Sequence, residues 1–127
     1  MAPKEGKFWN AQELIEQIPP ASPGQPIHWV WLATGDYSGV NIVRIQPPQL
    51  PAPDLLHIHR EHDETAYVME GDTDFRLGGF TKRVKPGDII HIPAGVPHGP
   101  VSGEKMIALS VYGPSFDPEN PDREFVS

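Results

Sequence analysis

Three histidines and a glutamate stand close together near the middle of the chain. In the stretch Leu55 to Gly71, His57 and His59 are two residues apart, His62 follows, and Glu64 comes five residues after His59. On a strand, side chains two apart share a face, so the rings of His57 and His59 project to one side. The residues after His59 suffice for a tight turn. A returning strand with Glu64, Ala66 and Val68 on one face then sets the carboxylate beside the imidazoles across a hairpin. Imidazole nitrogen with carboxylate oxygen, and no thiolate, is a donor set for a divalent transition metal. A fourth donor stands downstream, where a short apolar strand runs from Gly87 into a Pro-Ala-Gly-Val-Pro turn and His98 opens the next strand. Solvent-facing polar groups on an amphipathic hairpin would explain any one of these histidines. They do not explain the two segments together.

Such donors need strands to hold them, and the chain supplies short ones. Asn10 and Glu13 have capping-box spacing, and Trp9 and Leu14 that of a hydrophobic staple. They predict a helix over about Ala11 to Ile18, stopped by Pro19-Pro20, with Leu14, Ile15 and Ile18 packed on the exterior of a sheet. Ile27 to Ala33 is a β-rich run with apolar residues on both faces, one for the interior and one for a partner. Val40 to Gln46 is a second strand, ended by Pro47-Pro48 and a proline-rich connector to Pro53; in it Arg44 shares a face with Val40 and Ile42, as an edge charge or an inward anion anchor. Thr73 to Leu77 and Phe80 to Val84 flank Gly78-Gly79 as a hairpin. Lys85-Pro86-Gly87-Asp88 has proline and glycine where a type II turn needs them. Ile89 to Ile92, a strand from His98, a turn near Gly103-Glu104 and a strand over Met106 to Tyr112 bring the total to eight or more. The tail from Gly113 reads as irregular, pinned to the surface by Phe116, Phe125 and Val126. With 12 Gly and 16 Pro in 127 residues, the pattern is all-β, a sandwich or barrel.

The two histidine segments together resemble the motif pair of the cupin superfamily. His57, His59, Glu64 and Gly71 match the first motif, and Gly87, Pro93, Gly95 and His98 match the second. Two family positions differ, being Pro51 and Ser102 here. The likeness spans roughly Arg44 to Tyr112. It implies a jelly-roll β-barrel with a short N-terminal helix, a single cupin domain over residues 1–127 with its core at about 27–112. It also implies one divalent metal (Fe, Mn, Ni, Co or Zn) held by His57, His59, Glu64 and His98, leaving roughly two positions of an octahedral ion for a ligand. Pocket candidates are Arg44, Val68, Phe75 and Tyr112. His62 reads as an exposed turn residue, His28 as an outer-face residue, and His91 as lying behind the ligands or at an interface. The function this suggests is a metal-dependent enzyme on a small molecule, first a dioxygenase-like oxidoreductase. A non-redox isomerase, cyclase or lyase, or a non-catalytic binding module, is the alternative. A homodimer is expected from the two-sided strand and from the family's usual behaviour.

Charge and composition exclude other classes. The net charge is −7, with ten basic residues scattered among seventeen acids, the opposite of what a phosphate backbone requires. Cysteine is absent, which removes disulfide and thiolate chemistry and fits a reducing compartment. No apolar run reaches bilayer length and the first residues lack a signal-peptide core, so the expectation is a cytoplasmic protein with no membrane or nucleic-acid partner.

Overall fold

Short alternating runs cut by Pro and Gly fold into strands, seen in a computed structural model that describes residues 5–20, 26–46, 56–101 and 105–126. One five-stranded sheet has the order β1 (Ile27–Thr34), β2 (Gly39–Ile45), β9 (Met106–Gly113), β4 (Asp63–Glu70), β7 (Ile89–Ile92). The other runs β10 (Glu124–Phe125), β3 (His57–Ile58), β8 (His98–Pro100), β5 (Thr73–Leu77), β6 (Phe80–Val84). All pairs are antiparallel. The result is a jelly roll of two facing sheets with one short helix. No helix of the described residues is long and apolar enough to cross a membrane.

Strand alternation decides what lies between the sheets. On β4 and β7 every second residue is buried, and Ala66, Val68, Ile90 and Ile92 join Val43, Ile45, Phe75, Val84, Met106 and Ala108 in one apolar cluster. On β2 the residues from Asn41 to Ile45 are buried on both faces. The reason is helix α1 (Ala11–Glu16), whose Ile15 packs with Ile42 and Ile107 on the outside of the sheet, with Leu14, Ile18 and Leu32 around them. The Asn10 side chain accepts from the Glu13 N–H at 3.0 Å, as an N-cap does. The helix closes two residues before the predicted Ile18, because a residue ahead of proline is driven out of the helical region.

The largest departure from expectation concerns the histidine stretch. It is not a hairpin. β3 pairs with β8 and β10, while β4 pairs with β7 and β9 in the opposite sheet, so His57 and Glu64 face each other across the barrel. A hairpin and a sheet-to-sheet crossing use the same short connection, and only the partners of each strand tell them apart. The tail is also less irregular than expected. Glu124–Phe125 adds β10 to the second sheet, and Phe116 is 1% exposed and belongs to the interior. Trp29 and Trp31, both half-buried, likewise turn toward Phe116, at 5.8 and 5.1 Å between ring centroids. The expected turns around Pro47–Pro53 and Gly103–Glu104, and positions Pro51 and Ser102, lie outside the described residues.

Two glycines explain their own places. Gly87 has φ +100° and the Asp88 N–H reaches the Lys85 carbonyl at 3.1 Å, a type II turn. Gly71 has φ +113°, and a Cβ there would lie 2.5 Å from the Lys105 carbonyl oxygen, so any side chain is doubly excluded.

Candidate metal centre

The site is assembled from both sheets and from the tail. β3 and β8 place His57 opposite His98 in register, with ring centroids 4.2 Å apart. His59 follows β3, and its carbonyl is fixed by the Gly95 N–H at 2.7 Å, which ties it to the turn preceding His98. One ring nitrogen from each of His57, His59 and His98 lies within 4.8 Å of the other two, and all three residues are buried. From the facing sheet comes Glu64. Its Oε1 is 3.1 Å from His59 Nε2 and 3.4 Å from His98 Nε2, and its Oε2 accepts from the Ser110 hydroxyl at 2.8 Å.

The proton inventory of this cluster points to a cation. His59 Nδ1 donates to the Asp122 carbonyl at 2.5 Å and His98 Nδ1 to the Val96 carbonyl at 2.9 Å. In each neutral ring the Nε2 then carries a lone pair, and both lone pairs face a carboxylate oxygen. Acceptor against acceptor is repulsive unless a proton or a metal ion lies between them. His98 Nε2 is buried with no hydrogen-bond partner, since its approach to Glu64 is poorly aimed. Donors at right angles about 2.1 Å from one ion stand about 3.0 Å apart, close to the two nitrogen–oxygen spacings here. The three histidine nitrogens therefore fit a divalent metal, and Glu64 stands against two of them, His59 and His98, as a further donor.

Electrostatics agree. Burial alone would raise the Glu64 pKa, but hydrogen bonds and charge from His59 and His98 outweigh it and hold the carboxyl well below its usual range. For His59, burial lowers the pKa, yet the bond to Glu64, the Asp122 carbonyl and their charges raise it overall. Tyr112 stays a neutral phenol: burial, then the Glu64 charge, push it well above its ordinary value.

The pocket candidates divide. Phe75 and Tyr112 border the interior cavity beside Glu64, His57 and His98, together with Trp29, Met106 and Ser110. Val68 does not border it; it lies two residues further along β4 than Ala66, in the apolar cluster. Arg44 is on the other face of β2, fully buried under the helix segment, where its guanidinium donates to the Pro19 carbonyl. It is neither an edge charge nor an inward anchor. The cavity is narrow, with room for about one water.

The other histidines also find places. His62, expected in an exposed turn, is buried; its Nδ1 meets Asp122 Oδ2 at 2.7 Å and its Nε2 the Ser115 carbonyl at 3.0 Å. His91 is exposed, bonds Thr65 Oγ1 at 3.0 Å, and borders a separate groove of about 360 Å³ between β6 and β7. His28 pairs with Arg44 on the outer face. Two supporting residues escaped the sequence reading. Ser110 carried a signal, as a hydroxyl at an inward position between Ala108 and Tyr112. Asp122 carried none.

The model of the cupin domain matches residues 41–112, more than half of the chain and both histidine segments. The chain belongs to the cupin family. An uncharacterised protein of Aquifex aeolicus is 35% identical to this cupin over 65 residues, 50% of this chain and 54% of that one. The chain thus spans about half the length of the curated relative it matches. A Klebsiella pneumoniae protein with a double-stranded β-helix domain superposes with a TM-score of 0.71 at 21% identity, covering 97% of this chain and 99% of that one. Pac13 of Streptomyces, described as a nucleoside dehydratase, gives a TM-score of 0.60 at 16% identity, covering 80% and 78%. At these identities the solved structures share the cupin fold with this chain.

Proposed function

We propose that this cupin is a metal-dependent enzyme acting on a small oxygen-bearing organic molecule, first as a dioxygenase-type oxidoreductase. One observation carries the metal-dependent part: two imidazole nitrogens, each turned inward by a carbonyl behind it, converge on one oxygen of a buried carboxylate. A bound divalent ion would supply Lewis acidity and, where redox-active, one-electron chemistry. The chain's own residues do the rest. Ser110 holds Glu64 so that Oε1 faces the histidines. Ile27, Val43, Ala66, Phe75, Ile92 and Met106 wall the cavity and keep water from the reacting centre. The oxidative reading is supported by those apolar walls and by a donor set without oxidisable thiolate.

A second reading, non-redox elimination or isomerisation, is favoured by Tyr112. A neutral phenol beside Glu64 can deliver a proton to a departing or developing oxyanion, and Pac13, a dehydratase, shares the fold. Anaerobic loading with Fe, Mn, Co, Ni and Zn, then oxygen uptake against catechols, diketones and flavonols, separates the two. Oxygen consumption that requires Fe, Mn, Co or Ni is the expected result. Turnover unchanged without oxygen, and as fast with Zn, contradicts it in favour of the second reading; tight ligand binding with no turnover leaves a binding module.

The proposal includes a cytoplasmic location, on the absence of cysteine, and a homodimer, on β1 forming the edge of its sheet. Sedimentation showing only monomer at micromolar concentration would contradict the dimer.

A further inference from the structure

Four of the five arginines have oxygen acceptors. Arg44 donates to the Pro19 carbonyl, Arg60 pairs with Glu124, Arg76 donates to the Gly78 carbonyl, and Arg83 pairs with Asp72. Arg123 differs. Its guanidinium carbon lies 4.7 Å from the Trp29 ring centroid and 5.1 Å from that of Phe125, and no oxygen of the described residues accepts from its side chain. The acids on either side of it are engaged elsewhere. Asp122 takes His62 and the N–H groups of Arg60 and Glu61, and Glu124 takes Arg60.

The rings that flank Arg123 connect it to the metal centre. Trp29 borders the cavity, and the Phe125 ring is 6.0 Å from that of His57. A guanidinium carries five N–H donors in a fixed fork, and its contacts with the two aromatic rings engage none of them with an oxygen acceptor. The Arg123 side chain is half-buried, charged and without an acceptor, against Trp29, which borders a cavity too small to enclose more than about one water-sized group. The protein as a whole, at −7, repels anions. An acid reaching this centre therefore needs a local cation.

We infer that Arg123 receives a carboxylate of the substrate, whose other end presents oxygen to the centre formed by His57, His59, Glu64 and His98. The substrate class is a small organic acid with a second, metal-directed oxygen group. This rests on the metal-dependent reading proposed above.

The matched probes are 3,4-dihydroxybenzoate and catechol, which share the metal-directed diol and differ in the carboxylate. Binding to metal-loaded protein is measured by calorimetry and by quenching of tryptophan fluorescence. The acid should bind about tenfold more tightly or better, the ratio expected of a charge-assisted hydrogen-bonded pair, and the ratio should shrink with added salt. Arg123→Gln should bring the ratio to about one, and Arg123→Lys should restore part of it. Equal affinities in the unsubstituted protein, absence of binding by either probe, or a preference that survives Arg123→Gln would each overturn the inference. The salt arm needs no variant, so a misfolded substitution does not blunt the test. Elemental analysis before any probe is added reads the metal site separately: protein that takes up no ion defeats the functional reading, whereas loaded protein indifferent to the carboxylate defeats the role of Arg123 alone.

Discussion

His59 is held at its two ends by two unlike acidic residues. On the inner side Glu64, on β4, offers its carboxylate to Nε2. On the outer side Asp122, in the tail, offers its backbone carbonyl to Nδ1 and spends its carboxylate on the turn, accepting from the Arg60 and Glu61 N–H groups at 3.0 and 2.7 Å and meeting His62 Nδ1. For both acids burial raises the pKa, and for both the surrounding donors more than reverse it. The tasks differ all the same. Glu64 contributes charge where an ion would lie; Asp122 contributes direction, by fixing which nitrogen of His59 faces inward. Affinity and aim are thus supplied by residues far apart in the chain.

The strap that carries Asp122 is the place to break this division most severely. Phe116 anchors it among Trp31, Tyr112 and His62, and Phe116→Ala should destabilise the fold by about 3–5 kcal/mol, read by chemical denaturation. Unchanged stability would mean that the strap is not part of the core. Asp122→Ala keeps the carbonyl that orients His59 but strips three donors of their acceptor. It should cost about 1–3 kcal/mol and, as the strap shifts, about tenfold in metal affinity, measured by chelator competition.

The Glu64–His59 pair gives a pH signature in metal-free protein. Glu64 titrates below its unfolded value of about 4.5, so its contribution is complete above that value and is lost as pH falls through the folded one. His59 titrates above its unfolded value of about 6.5, so its contribution is complete below that value and fades as pH rises through the folded one. The thermal midpoint attributable to this pair should be highest between the two. Loading a metal should raise the midpoint most on the alkaline side, where the ion no longer competes with protons for imidazole. The smallest effect belongs to the rim. Arg60 and Glu124 are mostly exposed, and Arg60→Ala should change stability by less than about 0.5 kcal/mol.

The inner half of the site was readable because its residues are periodic and close together. His57, His59 and Glu64 fall within eight residues, and the turn before His98 announces itself through Pro93, Gly95 and Pro97. The same closeness misled the pairing, since nothing local distinguishes a hairpin from a step between sheets. Arg44 was misplaced for a related reason: alternation gives its face, but which face of β2 looks inward depends on where the helix docks. The outer half was silent. Asp122 and Arg123 lie about sixty residues from His59 and His62, in a segment whose Pro, Asp and Asn content resembles any loop, and their places depend on β10 pairing with β3.

The central claim, that Glu64 and the three histidines form one metal site, is tested most directly by titrating metal-free protein with a single divalent ion, cobalt, beside Glu64→Gln. The substitution keeps shape and a carbonyl oxygen while removing charge. The expected result is one ion per chain in the unsubstituted protein and an affinity at least about 100-fold lower in Glu64→Gln, since losing a ligand exceeds the usual loss for an orienting partner. Equal binding by the two proteins, or no stoichiometric binding by either, would contradict it.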